Sequence, residues 1–151
     1  MTTWDRSFPP SSPTQVEKFE KCIGTSLPPA YGKYLLSQNG GFPSDYLMFR
    51  IPGLADDKGG VMLGAMYGIG ERGNGLDLET QYQELNDVIP HGHIPIGEDP
   101  GGNLLLVAIH EPFKDQIVFW DRIGLLAREL GQNLFQVADD INQFLASLEP
   151  G

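Results

Sequence analysis

The chain has 151 residues, of which 40% are hydrophobic and 20% charged, a composition typical of one globular domain rather than of a disordered segment. Its net charge of −10 disfavours binding to nucleic-acid phosphates and anionic membranes, and favours basic partners. The acidity belongs to residues 51–151, which hold sixteen acidic residues against five basic ones, whereas residues 1–50 hold four against five. Acidity of this kind also serves solubility alone, and the composition does not separate the two interpretations.

Three further features predict a cytoplasmic protein. No apolar run approaches the roughly 20 residues that a membrane helix needs. The N-terminal residues lack the basic start and apolar stretch of a secretory signal. The single cysteine, Cys22, forms no internal disulfide and suits a reducing compartment.

The N-terminal part of the chain predicts a lead-in followed by a helix. Residues 1–13 are rich in proline and serine, so we expect a loose N-terminal lead-in and a domain that spans residues 14–151. Thr14 and Glu17 match a capping box, in which each side chain binds the other residue's backbone N–H. The predicted first helix ends at Gly24.

A second helix and several short strands are predicted next. Pro28 and Pro29 suit a helix start, and Asn39-Gly40-Gly41 suits its end. Tyr46–Ile51 and Val61–Leu63 have the composition of strands. Asp77 predicts the cap of a third helix, which ends before Pro90.

The stretch from Ile94 to Asp121 predicts the centre of the fold. Its two β-rich runs are joined by a polar turn that contains Pro112, which indicates a hairpin. The run Leu104–Ile109 is continuously apolar, so both of its faces are expected to be covered. A short strand near Asn133–Val137 and a last helix capped by Asp139 follow.

The order of these elements predicts the fold class. Helices and strands do not alternate as in a Rossmann unit. We therefore expect a single α+β domain with a mainly antiparallel sheet packed against helices.

Two motifs suggest cofactor or metal chemistry, but both lack the context that it needs. The glycine-rich loop from Gly68 to Gly75 contains a literal GxGxxG, yet no parallel βαβ unit surrounds it. His91 and His93 lie in a connection between prolines, and His110 is the only other histidine. We therefore expect a surface loop and solvated histidines, with no cofactor and no metal ligand.

At this point several segments resemble the SUKH superfamily, the fold shared by Smi/Knr-type cell-wall-assembly regulators and many bacterial toxin-immunity proteins. The segments are LPPAYGKYLLSQNGG (27–41), YGI (67–69) with DLETQY (77–82), IPIGEDPGGNLLLV (94–107), IVFWD (117–121) and ADDINQFLASL (138–148). The resemblance covers roughly residues 15–148. Where family members often have a histidine or a further acid after the WD pair, this chain has Arg122-Ile123, so a shared binding surface does not carry over directly.

The resemblance implies a non-enzymatic protein-binding domain, most simply an immunity protein that neutralises a cognate polymorphic toxin, often a nuclease. It also implies structural positions, which are Pro28, Asn39, Gly40, Gly41, Pro95, Gly97, Gly102, Asn103, Trp120 and Asp121. A cell-wall-type regulator or scaffold is the alternative. An enzyme with a small-molecule site at the Gly68–Gly75 loop is the third hypothesis.

Acidic residues in the predicted turns are the candidates for partner binding. A nuclease is basic where it holds phosphate, so an acidic inhibitor can imitate that phosphate and associate quickly. The predicted partner-binding residues are Asp56, Asp57, Glu71, Glu98, Asp99 and Asp115.

Overall fold

The computed structural model describes residues 4–43, 46–54, 59–70, 75–124 and 131–151. The helices in these ranges are α1 (Pro13–Ile23), α2 (Pro29–Ser37), α3 (Leu78–Leu85) and α4 (Ile141–Ser147). The strands are β1 (Trp4–Ser7), β2 (Gly41–Pro43), β3 (Leu47–Arg50), β4 (Gly60–Met62), β5 (Ala65–Met66), β6 (His93–Glu98), β7 (Leu104–Ala108), β8 (Ile117–Trp120), β9 (Leu134–Ala138) and β10 (Glu149–Pro150).

The strands form two antiparallel sheets. The larger sheet has seven strands in the order β1-β2-β5-β6-β7-β8-β9, and the smaller has the order β10-β3-β4. Among the described residues the one parallel pairing is an isolated bridge between Gly68 and Asp77. The prediction of a single α+β domain with a mainly antiparallel sheet is confirmed.

Strand β7 lies inside the larger sheet, as its apolar run predicts. It pairs with β6 on one side and with β8 on the other, so the predicted hairpin with β8 is present. All five of its residues are buried, which means that both faces of the strand are covered. A strand covered on both faces tolerates a continuous apolar run, because neither face needs polar side chains.

Aromatic side chains join the two sheets. Phe49 of β3 lies 5.8 Å from Phe119 of β8 and 5.2 Å from Phe144 of α4, measured between ring centroids, and both pairs meet edge to face. All three rings are buried. Edge-to-face contacts of this kind add about 0.5–1.5 kcal/mol each beyond area burial. The smaller sheet, the larger sheet and α4 therefore share one core.

Two helix caps differ from those predicted. The capping box of α1 is formed by Ser12 and Gln15, not by Thr14 and Glu17, because Pro13 occupies the first helical turn. The last helix is capped by Asp140, whose side chain accepts the backbone N–H of Gln143, and not by Asp139. The predicted cap at Asp77 is present and accepts the N–H of Thr80.

The N-terminal segment also differs from its expectation as a loose lead-in. Residues 4–7 form β1, which pairs with β2 at the edge of the larger sheet. Phe8 follows and is buried against the core, where its ring meets Phe42 edge to face. The surrounding prolines and serines favour a loose segment in the sequence, so the burial of Phe8 is not predicted from it.

Asn39 connects three segments of the chain. Its side-chain amide donates to the carbonyls of Pro9 and Ile69, and its carbonyl oxygen accepts the N–H of Ile69. It is buried and has a φ of 58°. The neighbouring Gly40 also has positive φ, and a Cβ there would lie 2.5 Å from the carbonyl oxygen of Tyr67. Only glycine permits this approach of the backbones.

Candidate functional site

An open groove lies beside the point where the two sheets meet. It has a volume of about 440 Å³. Its lining comes from β2, the residue before β3, β4, the segment after β4 and the turn between β6 and β7, and consists of Phe42, Pro43, Tyr46, Met62, Leu63, Gly64 and Pro100. The lining is mainly apolar, a property shared by ligand pockets and by the centres of protein interfaces.

Two large apolar side chains of this groove face solvent. Tyr46 is 75% exposed and Met62 is 40% exposed. Met62 lies on β4, which has only β3 as a described neighbour. Its side chain points to the side opposite that of the next residue, Leu63, which is buried. Tyrosine and methionine are enriched at protein interfaces, and tyrosine supplies a large contact area at low entropic cost. Neither residue is among the predicted partner-binding residues, although the strand alternation at Val61-Met62-Leu63 indicates that Met62 faces outward.

Glu98 stands at the end of β6, next to one wall of the groove. Its backbone carbonyl accepts the N–H of Gly64, and Pro100 two residues later lines the groove itself. The Glu98 carboxylate lies near the hydroxyl of Tyr67. Burial, followed by the negative charge of Glu98, raises the pKa of Tyr67 well above its ordinary value. The Tyr67 hydroxyl therefore stays neutral beside the partly exposed Glu98 side chain.

Asp99 is used mainly within its own turn. One carboxylate oxygen accepts the N–H groups of Gly101 and Asn103, and the other accepts from the Asn103 side chain. Asn103 in turn accepts the N–H of Ile123, which joins this turn to the one after β8. A carboxylate has about four acceptor positions, so Asp99 keeps roughly one for a partner.

Asp115 caps helix α2 from a distant part of the chain. Helix α2 begins with Pro28 as its N-cap, which has no side-chain acceptor, and Pro29 has no N–H. The first free donors are the N–H groups of Ala30 and Tyr31, and each binds one oxygen of the Asp115 carboxylate at 3.2 Å. This carboxylate docks α2 on the β7–β8 turn.

The remaining predicted partner-binding residues, Asp56, Asp57 and Glu71, lie outside the described residues. Of the acids that are described, Glu98 adjoins the groove through its strand, Asp99 belongs to the same turn, and Asp115 lies at the far end of β7. Glu98 and Asp99, which are adjacent in sequence, therefore lie beside the groove, whereas Asp115 lies apart from them.

The residues predicted to be structural lie in the core or in tight turns. Pro28 and Pro95 are buried, and the β6–β7 register shifts between Pro95 and Gly97. A Cβ at Gly97 would lie 2.8 Å from the carbonyl oxygen of Ala65, so the strands approach closely there. Gly41 is buried in β2, at φ 137°, and Gly102 has a φ of 98°.

Trp120 and Asp121 close β8. Trp120 is half-buried against the core, with the Arg122 guanidinium carbon 5.7 Å from its ring centroid, a cation–π arrangement. Asp121 is 2% exposed and accepts the N–H of Gly124. Its own N–H donates to the carbonyl of Asn133. Both residues therefore position the turn that follows β8.

A smaller cavity of about 230 Å³ lies beside the glycine-rich loop. Among its polar lining residues, Gln15 and Asp77 are engaged in the caps of α1 and α3. Asp77 accepts the N–H groups of Gly70 and Thr80 as well as the Thr80 hydroxyl. Its charge occupies the N-terminus of α3, where a nucleotide phosphate would otherwise bind. The described part of this loop thus lacks the features of a dinucleotide site.

The antiparallel sheets and the helices packed on them define a single α+β domain with an open, mainly apolar groove on its surface. The chain belongs to the SMI1 / KNR4 family (SUKH-1), whose sequence model matches residues 10–147. The predicted resemblance to the SUKH superfamily is confirmed. No match is found among curated proteins. Among the described residues, none of the helices combines the length and apolar character that crossing a membrane requires.

Proposed function

We propose that this chain is a non-enzymatic protein-binding domain that acts in the cytoplasm as an immunity protein against a polymorphic toxin. The observation that carries the proposal is the apolar groove with exposed Tyr46 and Met62 beside the anionic end of β6. Family membership supports it, because the family includes toxin-immunity proteins.

The apolar part of the surface supplies binding energy. An exposed tyrosine that becomes desolvated at the centre of an interface commonly dominates the affinity. Tyr46 directly precedes β3, and its carbonyl accepts the N–H of Gly151, so its backbone is held by the smaller sheet. A side chain on a fixed backbone loses less conformational entropy on binding.

The acidic part of the surface supplies fast association with a basic partner. A net charge of −10 attracts a cationic toxin surface over a Debye length, and Glu98 supplies a partly exposed carboxylate next to the groove. Asp56, Asp57 and Glu71 belong to the same proposal. Asp99, which binds its own turn, and Asp115, which caps helix α2, contribute only the acceptor positions that these hydrogen bonds leave open.

The test takes any toxin-like domain encoded beside this gene, and measures its binding to the purified chain and the rescue of growth when both are expressed. We expect Tyr46→Ala to weaken binding by about 2 kcal/mol, or roughly 30-fold, because it removes a central anchor. Glu98→Gln should mainly slow association, with an effect that fades at high salt. Calorimetry and stopped-flow kinetics at low and high salt provide both quantities.

Matched variants distinguish this surface from the rest of the molecule. Phe113 is 57% exposed outside the groove, and Glu84 is an exposed acid on α3. Phe113→Ala and Glu84→Gln should leave the affinity and the association rate unchanged. Failure of the folded wild-type chain to bind or to rescue growth would contradict the immunity proposal. Binding that Tyr46→Ala leaves intact would contradict the assignment of the groove.

A further inference from the structure

Strand β4 is an edge of the smaller sheet and forms one wall of the groove. Among the described residues it pairs with β3 alone, with Met62 opposite Met48. One position further along the same register, the N–H of Leu63 donates to the carbonyl of Leu47 at 2.9 Å. Met62, Leu63 and Gly64 all line the groove, so the edge of the sheet and the apolar surface are continuous.

The register directs the main-chain groups of Met62 away from β3. In an antiparallel pair, positions that exchange hydrogen bonds alternate with positions whose N–H and C=O groups point outward. Leu63 is bonded to β3, so the adjacent Met62 is an outward position. Gly64 is the next such position, and its N–H donates to the carbonyl of Glu98 in the larger sheet. For the N–H and C=O of Met62, in contrast, the described part of the chain provides no partner.

Two other edges of the sheets contain residues that hinder the addition of a strand. Charged side chains and proline have this effect, and proteins place them on exposed edges. Strand β1 contains Asp5 and Arg6, and β10 contains Glu149 and Pro150. The segment Gly60–Met62 of β4 contains neither type of residue. The edge of β4 is therefore open to a further strand by its sequence as well as by its register.

Strand β9 is the remaining described edge and serves as the reference. It too lacks charge and proline, but the side-chain amide of Gln132 donates to the carbonyl of Leu134 and occupies part of this edge. None of the described residues that line the groove belongs to β9. Among the described edges, β4 thus combines outward main-chain groups with an adjoining apolar groove.

We propose that β4 receives an extended segment of the partner as an additional strand, and that this segment carries apolar side chains at alternate positions together with a lysine or arginine. The inference rests on the proposed function and specifies how the groove is used. The N–H and C=O of Met62 bind the main chain of the segment, which gives affinity without regard to sequence. Alternate side chains of the segment share one side, where the exposed Tyr46 and Met62 supply apolar contacts.

Main-chain geometry and charge select this occupant over two others. A helix binds its own N–H and C=O groups, so it would leave those of Met62 unpaired. A second copy of this chain brings a like net charge of −10, which opposes association. Glu98 is partly exposed, and its backbone carbonyl is bonded to Gly64 beside β4. A lysine or arginine of the segment therefore meets an opposite charge at this end of the groove.

The first test follows the Met62 amide and needs no toxin. A phage-displayed library of random linear peptides is panned on the purified full-length chain, and the enriched peptide is synthesised. Amide hydrogen exchange, measured by NMR, then compares the chain with and without the peptide. We expect the Met62 amide to exchange at least roughly tenfold more slowly in the complex, because it gains a hydrogen-bond partner. Gln136, whose N–H points outward on β9 by the same alternation, is the control and should exchange at an unchanged rate.

Two substitutions separate the main chain of Met62 from its side chain. Met62→Ala removes the side chain and keeps the N–H, whereas Met62→Pro also removes the N–H, at an outward position where an edge strand tolerates proline. We expect Met62→Pro to bind the peptide roughly threefold to tenfold more weakly than Met62→Ala, as the loss of one hydrogen bond predicts. Urea denaturation shows whether both variants are folded, and the exchange measurement uses the wild type in either case.

Repeating the exchange measurement with a toxin-like domain that binds distinguishes this inference from the proposed function. A slower Met62 amide in that complex supports both, whereas an unchanged rate overturns the strand addition and leaves the immunity proposal standing. A toxin that does not bind contradicts the immunity proposal, while a peptide that slows exchange at Met62 still supports the strand addition. A library that yields no peptide with this effect, or equal affinities of the two folded variants, overturns the inference.

Discussion

Two turns at opposite ends of β7 each contain an aspartate that binds backbone N–H groups, but the bound groups lie at different distances along the chain. Asp99 binds Gly101 and Asn103 within its own turn. Asp115 binds Ala30 and Tyr31, which are 85 and 84 residues away in the sequence. The first carboxylate builds a loop, whereas the second docks a helix on the sheet.

Glu98 extends this comparison, because it is adjacent to Asp99 in sequence and differs in its contacts. Asp99 accepts three hydrogen bonds within its own turn, while the Glu98 carboxylate lies near the Tyr67 hydroxyl and raises its pKa. An acid in a turn is therefore not in itself a free charge. What decides its availability is the number of acceptor positions that the fold leaves open.

The largest effect is expected at the local turn, from Asn103→Ala. The Asn103 side chain is 8% exposed and links Asp99 to the N–H of Ile123. Its removal leaves a donor and an acceptor without their partners, which should lower the free energy of unfolding by about 2–3 kcal/mol. Urea denaturation measures the change. Asn142→Ala, at an exposed asparagine of α4, is the control and should stay within about 0.5 kcal/mol of the wild type. If the two substitutions lowered the free energy of unfolding equally, the proposed role of Asn103 in joining the two turns would be contradicted.

A smaller effect is expected at the distant cap, from Asp115→Gly. Asp115 has a φ of 78°, so glycine keeps the backbone conformation and removes only the carboxylate. Loss of the cap should cost about 1–2 kcal/mol, and the amides of Ala30 and Tyr31 should exchange hydrogen faster.

Asp115→Asn is the matched variant for this prediction. It retains one acceptor oxygen and tolerates positive φ, so it should lose less stability than Asp115→Gly. If the glycine variant were as stable as the wild type, the docking of α2 would not depend on the carboxylate, and the contrast between the two turns would fail.

Patterns among neighbouring residues are sufficient to predict the core of the fold. Contacts between distant segments leave no such pattern. The run Leu104–Ile109 predicts a strand covered on both faces, because every one of its residues is apolar, and all five residues of β7 are buried. The capping box was misplaced because Ser12 and Thr14 both fit its spacing, and only Pro13 at the first helical position favours Ser12.

The candidate sites were harder to predict, since they join segments far apart in sequence. The hydrogen bond from the Ala30 N–H to the Asp115 carboxylate joins residues 85 positions apart, and no local pattern in either segment predicts it. The groove likewise combines Tyr46, Met62 and Pro100, which meet only when the two sheets pack. Glu98 and Asp99 looked equivalent in the sequence, because the hydrogen bonds that separate them depend on the closed turn.

The smallest effect is expected from Tyr67, the neighbour of Glu98, and it appears only at alkaline pH. Burial raises the pKa of Tyr31, Tyr34 and Tyr67 above the ordinary value of 10.0. The unfolded chain loses these protons near pH 10 while the folded chain retains them, so stability is complete below pH 10 and falls as the pH rises further. Each tyrosine should contribute about 1.4 kcal/mol per pH unit to this fall.

Tyr67→Phe should remove about one third of the tyrosine contribution to that slope, since it eliminates one of the three buried phenols. Denaturant unfolding between pH 9 and roughly pH 11 measures the slope. Tyr34→Phe should lower it by the same amount, and the double variant by twice that amount, because the two groups bind protons separately. An unchanged slope in Tyr67→Phe would mean that this hydroxyl ionises in the folded chain as it does in the unfolded one. Glu98 would then have a charged neighbour above pH 10, and the contrast between its surroundings and those of Asp99 would be lost.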